Sequence, residues 1–591
     1  MITMLAVDCC RRLVFHLFFL WQCRRLGLTK TRSHVKTPTE FFKLGSIASR
    51  PISTYVKQPV VGLSSTRHFI AWVLLVGAAL IAPAANVKAQ DVDTESASNA
   101  AIADDTGGKT TSGAATGSTS DTTKPDPPAA AAESATGLTG NFFQRLGQAY
   151  LSDWKGNSGE DADPSGPKYR GFPPPVTNPP FPFTVWPYGG SVAIGYPWTQ
   201  SGPLMQAIWS GKGGEGWKKS GIQIYGWFNG GFNISTSNGS GYANLPAAYA
   251  ERPNTFQPDQ QALYIERQPD TVQTDHFDWG FRLATIYGID YRFTTAKGIF
   301  SQQLLSHNYE YGVDPVMFYV DLYYPHVAQG MNIRIGRYIS LPDIEAQLAP
   351  NNYTYSHSLL YTYDCYTQTG VNTTVKVNNH WLLQAGISAG CEAAPWTAAP
   401  DSKVTFNFCA SYSWNQGADN FYPCLNALNS GKYAYNNLNS VYSTWYHKFR
   451  NHPSLHMATE AWYMWERQVP NVLNPDAAHL IETNANGAVC SDPLVINCYA
   501  PEWAVLNYVE KELNKANYLS FRNEYFDDIR GQRTGFKTRY YEGLLGWGHW
   551  IGSTILLRPE LRYEHAFDAP AYDNGTKKTQ FMFASDIIWF F

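Results

Sequence analysis

Long apolar runs are missing from most of this chain. From Asp91 to Phe591 no stretch reaches the roughly 18 consecutive apolar residues that a membrane-spanning helix needs, so no helical span is expected there. Charge is scarce too: 16% of the 591 residues are charged, and 45 Lys and Arg against 48 Asp and Glu leave a net charge of -3. Without basic clusters in the long C-terminal portion, nucleic acid is not an expected partner. Metal-site spacings are absent, since the 14 histidines form no HExxH pair and the cysteines no Cys-x-x-Cys, so no metal or cofactor is expected. Gly386–Gly390 (GISAG) has the letters of a nucleophile elbow but ends a strand pattern with no helix pattern after it. Gly211–Gly216 (GKGGEG) lacks phosphate-loop spacing and reads as a flexible bend. No enzyme is expected from these motifs.

Aromatic residues are plentiful instead: 15% of the chain, with 37 Tyr and 19 Trp. That composition suits a barrel with aromatic girdles at two membrane interfaces, and equally a large carbohydrate-binding β-protein. The last stretch, Lys577–Phe591 (KKTQFMFASDIIWFF), favours the first. Phe581, Phe583, Ile587, Trp589 and Phe591 alternate with Met582, Ala584, Asp586, Ile588 and Phe590, and Ser585 alone breaks the apolar series. Period two over this length marks a strand with one face in an apolar medium. A free edge of this kind would aggregate, whereas a strand closing a barrel in lipid has no free edge and needs an apolar outer face.

The N-terminal region reads differently. Residues 1–66 hold ten Lys or Arg against two acids, either a basic leader or a misassigned start with translation beginning near Val60, Val61 or Leu63. Arg67 and His68 precede the apolar run Phe69–Ile81 and then Val87-Lys88-Ala89, so residues 67–89 are expected to be a signal peptide cleaved after Ala89. Residues 90–140 are Ala, Ser, Thr, Gly and Asp and are expected to be a disordered linker. Residues 141–220 form a Pro-rich pre-barrel segment, in which Phe142, Phe143, Leu146, Tyr150 and Trp154 could share one face of a short helix.

From Gly221 to Phe591 the chain is expected to be all-β, a transmembrane antiparallel β-barrel of about 16 strands, the first near 221–235 and the last near 577–591. TILLRPELRYEH shows the pattern most clearly: Ile555, Leu557, Pro559, Leu561 and Tyr563 fall on one face, Thr554, Arg558, Glu560, Arg562 and Glu564 on the other. Connections alternate in length, with short ones at Asn378-Asn379, His452–Leu455, Asn514-Lys515 and Gly548-His549 and long ones such as 235–259, 339–368 and 468–500. Trp381, Trp445, Trp547, Trp550 and Trp589 lie near the short-turn ends, as one girdle would require.

AYDNGTKKTQFMFASDIIWFF, GWGHWIGSTILLRPELRYEH and the EWAVLNYVEKEL segment resemble the OmpL-like β-barrel porin family, over roughly Pro180 to Phe591. The resemblance implies a pore in the bacterial outer membrane and carries no catalytic residues.

Six cysteines follow the cleavage site. Hairpin symmetry pairs Cys365 with Cys391 and Cys409 with Cys424, and Cys490 and Cys498 share one long loop; free thiols are the alternative. Parity predicts inward charges at Arg282, Arg334, Arg522, Lys537, Arg539, Arg558 and Arg562, and at Asp278, Asp321, Glu460, Glu466, Glu524, Glu560, Glu564 and Asp586. The signs nearly balance, so strong ion selectivity does not follow. The candidate constriction loop is Tyr338–Thr369, with Asp343, Glu345, Asp364 and several tyrosines, though it could equally fold back over the mouth.

The expected function is passive diffusion of small hydrophilic solutes through a water-filled barrel. The expected partners are outer-membrane lipid, those solutes, and the barrel-assembly machinery through Phe591. A homotrimer and a monomer both remain open. One alternative is a structural or adhesion barrel plugged by residues 141–220; another is a secreted carbohydrate-active β-protein.

Overall fold

In a computed structural model of the chain, the described residues are 137–157, 194–195 and 202–591, apart from 342, 398–402, 435–436, 483–484 and 515. The basic leader, the signal peptide, the linker up to residue 136 and most of the Pro-rich stretch lie outside them.

Sixteen strands follow one another around a closed antiparallel barrel, each bonded to its sequence neighbours, with β1 closing on β16. They are β1 (Ile222–Ser235), β2 (Phe256–Arg267), β3 (Asp278–Gly288), β4 (Gly312–Tyr324), β5 (Met331–Ile339), β6 (Thr367–Lys376), β7 (Trp381–Cys391) and β8 (Thr405–Trp414). The second half runs β9 (Asp419–Leu428), β10 (Asn439–Lys448), β11 (Leu455–Pro470), β12 (Asn497–Asn514), β13 (Asn517–Asp528), β14 (Thr538–Ile551), β15 (Ile555–Ala566) and β16 (Thr579–Phe590). The closing register sets Trp227 opposite Phe590 and Ser235 opposite Met582. Closure leaves no unpaired edge, which is what an apolar medium demands of backbone polar groups.

Every strand is two-faced. Along β16, Phe581, Phe583, Ile587 and Trp589 are exposed while Gln580, Met582, Ala584, Asp586 and Ile588 are buried. Along β15, Leu561 and Tyr563 are exposed while Arg558, Glu560, Arg562 and Glu564 are buried. The barrel is therefore greasy outside and polar inside, the reverse of a soluble sandwich.

One end carries short turns and the other long loops. The turn between β14 and β15 is the one the sequence misplaced. Gly548 and His549 lie within β14, and the reversal comes at residues 552–554. The glycine that looked like a turn does another job: a Cβ on Gly548 would sit 2.0 Å from the Tyr518 ring, so its absence makes room for that ring. Gly552, with φ +59°, makes the turn instead. Trp550 is displaced with it. Trp381, Trp445, Trp547 and Trp589 are exposed at the short-turn end, but Trp550 packs inward with its ring 5.7 Å from that of Phe590.

Helix α1 (Phe142–Ser152) starts from a capping box in which the Asn141 side chain accepts from the Gln144 amide and the Gln144 side chain accepts from that of Asn141. Arg145 Nε donates to Ala207 O of α2 (Pro203–Trp209) at 3.0 Å, and α3 (Gly214–Ser220) leads into β1. The unit is tied to the short-turn rim. Tyr150 Oη donates to Phe590 O at 2.9 Å, and Asp153 accepts from the Ser553 amide at 2.9 Å and the Thr554 hydroxyl at 2.7 Å.

Three disulfides, Cys365–Cys391, Cys409–Cys424 and Cys490–Cys498, form as hairpin symmetry and the shared loop indicated.

Candidate functional site: a loop folded into the barrel

The connection from β5 to β6, residues 340–366, turns inward. No described residue in it is exposed, and only Pro350, Asn351 and Tyr363 are half-buried. Its own sequence gives it shape. The Asn352 side chain bridges the chain on itself, accepting from the Ala346 amide at 2.8 Å and donating to Ala346 O at 2.7 Å. Ser358 caps the helical turn Leu359–Thr362 by accepting from the Tyr361 amide. His357 bonds Ala346 O at 2.8 Å, and burial holds its imidazole well below the ordinary value, hence neutral.

A buried backbone needs partners for its N–H and C=O groups, and the inner wall supplies them. On β11, Glu460 accepts from the Ile344 amide at 2.8 Å and Trp462 Nε1 donates to Leu360 O at 3.1 Å. On β13, Glu524 accepts from the amides of Leu359 (2.8 Å) and Leu360, and Tyr518 donates to Tyr353 O at 2.9 Å. On β15, Glu560 accepts from the Tyr355 amide at 2.9 Å, while Arg558 donates to Ala349 O and Asn352 O, each at 2.8 Å. On β2, Gln260 accepts from the Ala349 amide at 3.0 Å. The loop thus crosses from its own strands to the opposite wall.

Ion pairs carry the same contact. Arg522 holds Glu345 of the loop at 3.0 Å and Glu542 of β14 at 2.7 Å, and Tyr508 donates to Glu345 as well. Arg562 bridges Glu542 at 2.7 Å and Glu564 at 2.9 Å, and Arg558 pairs with Asp586 at 2.5 Å. On the far side Arg334 pairs with Asp321 at 2.8 Å, its guanidinium 3.8 Å over the Tyr319 ring, and Arg282 pairs with Glu266 at 2.5 Å. Burial makes such pairs depend on one another, because removing one partner strands the other's charge, least so for Arg282, whose side chain is 20% exposed. The loop between β1 and β2 closes over this assembly: the Tyr249 ring lies tilted against that of His357, centroids 3.7 Å apart, and Tyr363 donates to Pro246 O at 3.3 Å.

The inner face therefore brings together Arg282, Arg334, Arg522, Arg558, Arg562, Asp321, Glu460, Glu524, Glu560, Glu564 and Asp586. Asp278 sits apart at the short-turn end with Arg267 at 2.8 Å, and Glu466 at the loop end accepts from the Ala434 amide at 3.1 Å. Two residues do not join them. Lys537 is exposed in the loop before β14, because that strand starts at Thr538. Arg539 faces outward, about half exposed, and pairs with Asp568 at 2.8 Å. The parity that makes Tyr540 and Glu542 inward makes Arg539 outward. Sequence reasoning passed over Glu542, Glu266 and Gln260, although the same parity places each on the inner face; Glu542 and Glu266 pair with wall arginines, and Gln260 meets a loop amide, which carries no sequence signal.

Asp343, Glu345 and Asp364 all lie buried in the inward loop, with Glu345 bound by Arg522. Burial pushes the Asp343 carboxyl up to about 7 and raises Asp364 well above the ordinary carboxylate value.

A family model described as putative beta-barrel porin-2, OmpL-like matches residues 221–591. No curated protein matches the chain. Among solved structures the chain is similar to an anion-selective porin from Comamonas acidovorans, at 8% identity and a TM-score of 0.40, covering 63% of this chain and 99% of that one. It is also similar to the outer-membrane channel DcaP of Acinetobacter baumannii, at 10% identity and a TM-score of 0.40, covering 63% and 97%. A third is the outer-membrane protein OmpT of Vibrio cholerae, at 9% identity and a TM-score of 0.38, covering 63% and 99%.

Proposed function

The chain belongs to the OmpL-like β-barrel porin family, and we propose that it is an outer-membrane porin for passive diffusion of small hydrophilic solutes, with flux set by the inward loop 340–366. The observation that carries this reading is the docking of that loop across the lumen onto Glu460, Arg522, Glu524, Arg558 and Glu560. A loop held by charged side chains of the wall narrows the passage and lines it with groups that bind water and polar solutes. The exposed outer face supplies the contact with lipid, and the C-terminal Phe591 beside β1 is the segment offered to the assembly machinery.

A second reading, a plugged barrel with a structural or adhesive role, draws on the burial of nearly the whole loop. Planar-bilayer recording of the full chain separates the two. Stepwise conductance that tracks solute size supports the porin; a barrel that inserts, shifts on heating in a gel and stays silent supports the plug.

A further inference from the structure

Near the place where the loop enters and leaves the barrel, three acids converge. Asp343 comes shortly after β5, Asp364 shortly before β6, and Glu460 projects from the middle of β11. One ligand oxygen from each lies within 4.8 Å of the others, and their residues are 2%, 1% and 0% exposed. Among the described residues no N–H or O–H donor reaches either oxygen of Asp343, either oxygen of Asp364 or Oε1 of Glu460; the two aspartate carboxyls meet each other, and Glu460 Oε2 alone has a donor, the Ile344 amide. Glu345 and Glu392, acidic as well, press on the same group. Arg522 neutralises Glu345 but pairs with none of the three. A fourth group belongs to the same place: the hydroxyl of Tyr442 on β10, 1% exposed and with Ser440 as its hydrogen-bonding neighbour, is close enough to feel the charge of all three carboxylates.

Bare carboxylates are not left in a water-poor interior unless a proton or a cation joins them. We propose that Asp343, Asp364 and Glu460 bind a calcium ion, which fastens both ends of the inward loop to the wall. Hard oxygen donors select calcium or magnesium over softer metals. Calcium accepts six to eight oxygens at about 2.4 Å, including both oxygens of one carboxylate, so oxygens on opposite sides of the ion are about 4.8 Å apart. Magnesium holds to a tighter octahedron and retains water, which a cluster of three side-chain carboxylates with little room suits less well. Tyr442 supplies a donor to a carboxylate oxygen or to a coordinated water. The two aspartates are brought together only when the loop is seated, so an ion bound to all three acids stabilises the seated loop over a loop swung outward.

The test uses the full chain in detergent, stripped with a chelator and titrated with terbium, whose emission is sensitised by nearby tyrosine, then with calcium as competitor. The expected result is one saturable site per chain at submillimolar calcium, weakened at least tenfold by Asp364→Asn and by Glu460→Gln and unchanged by Asp259→Asn, a buried acid elsewhere on the inner face. Heat-modifiable migration reports whether each variant folds. Should the variants fail to fold, the native chain decides: calcium should slow hydrogen exchange in peptides spanning 340–366 at least tenfold. No saturable binding up to about 10 mM calcium, binding undiminished in folded variants, or unchanged exchange would each overturn the site. These readouts do not involve conductance, so their failure leaves the diffusion reading standing, and a silent bilayer leaves the calcium site standing.

Discussion

Arg522 ties the inward loop to the wall at several points. It holds Glu345 and Glu542 and donates to Ser356 O at 2.5 Å. Replacing it by methionine strands Glu345 in the interior, and we expect a loss of about 3–5 kcal/mol in chemical unfolding. Arg539→Met, which breaks a half-exposed pair on the outer face, should cost less than about 1 kcal/mol in the same assay. A second residue sets a pH dependence. Burial pushes Glu251, in the loop between β1 and β2, from 4.5 up to about 7, against the opposing pull of Arg292 and Arg252 and with Glu310 adding to the rise. The folded loop then holds the proton more tightly than the unfolded one, so its stability is full below pH 4.5 and falls as pH rises through 7. Hydrogen exchange in 242–251 should quicken over that window, and Glu251→Gln should flatten the dependence. At this scale the sequence revealed parity but not partnership. It told Arg558 from Leu557, yet that Asp343, Asp364 and Glu460 meet is unreadable in spacing, because 96 residues separate the last two and the fold alone joins them.

Strands were the most legible elements, because period two is written into side-chain polarity and needs no tertiary context. β9, Asp419–Leu428, was recoverable despite its short apolar pattern, and β15 was unmistakable from its alternating charges. Failure came where a glycine had two readings: Gly548 looked like a turn and is a gap for the Tyr518 ring, so the β14–β15 reversal moved to Gly552. The two-faced strand makes its own prediction. Leu561 is exposed on the outer face of β15, beside buried Glu560 and Arg562. Leu561→Arg should destabilise the lipid-inserted barrel by about 2–4 kcal/mol if that position is near the bilayer midplane, read from denaturant titration in vesicles. A loss no greater than that of a conservative Leu561→Val change would deny the outer face its lipid contact.

At the scale of the whole molecule, a closed wall, an inward loop and a rim-bound helical unit make one device. The wall provides a cylinder without edges. The disulfide Cys365–Cys391 staples the loop's exit to the end of β7, and the wall's ion pairs take up its backbone groups. The sequence offered two places for this loop, inside or folded over the mouth. It could not choose between them, since the choice depends on amides and carbonyls matched to Glu524, Glu560 and Arg558 across the lumen. The most direct test is single-channel conductance of the intact chain against a variant in which residues 344–361 are replaced by a short glycine linker, both verified as folded by heat-modifiable migration. A loop that sets the flux predicts a severalfold larger conductance for the shortened chain, and equal conductance in the two would contradict it.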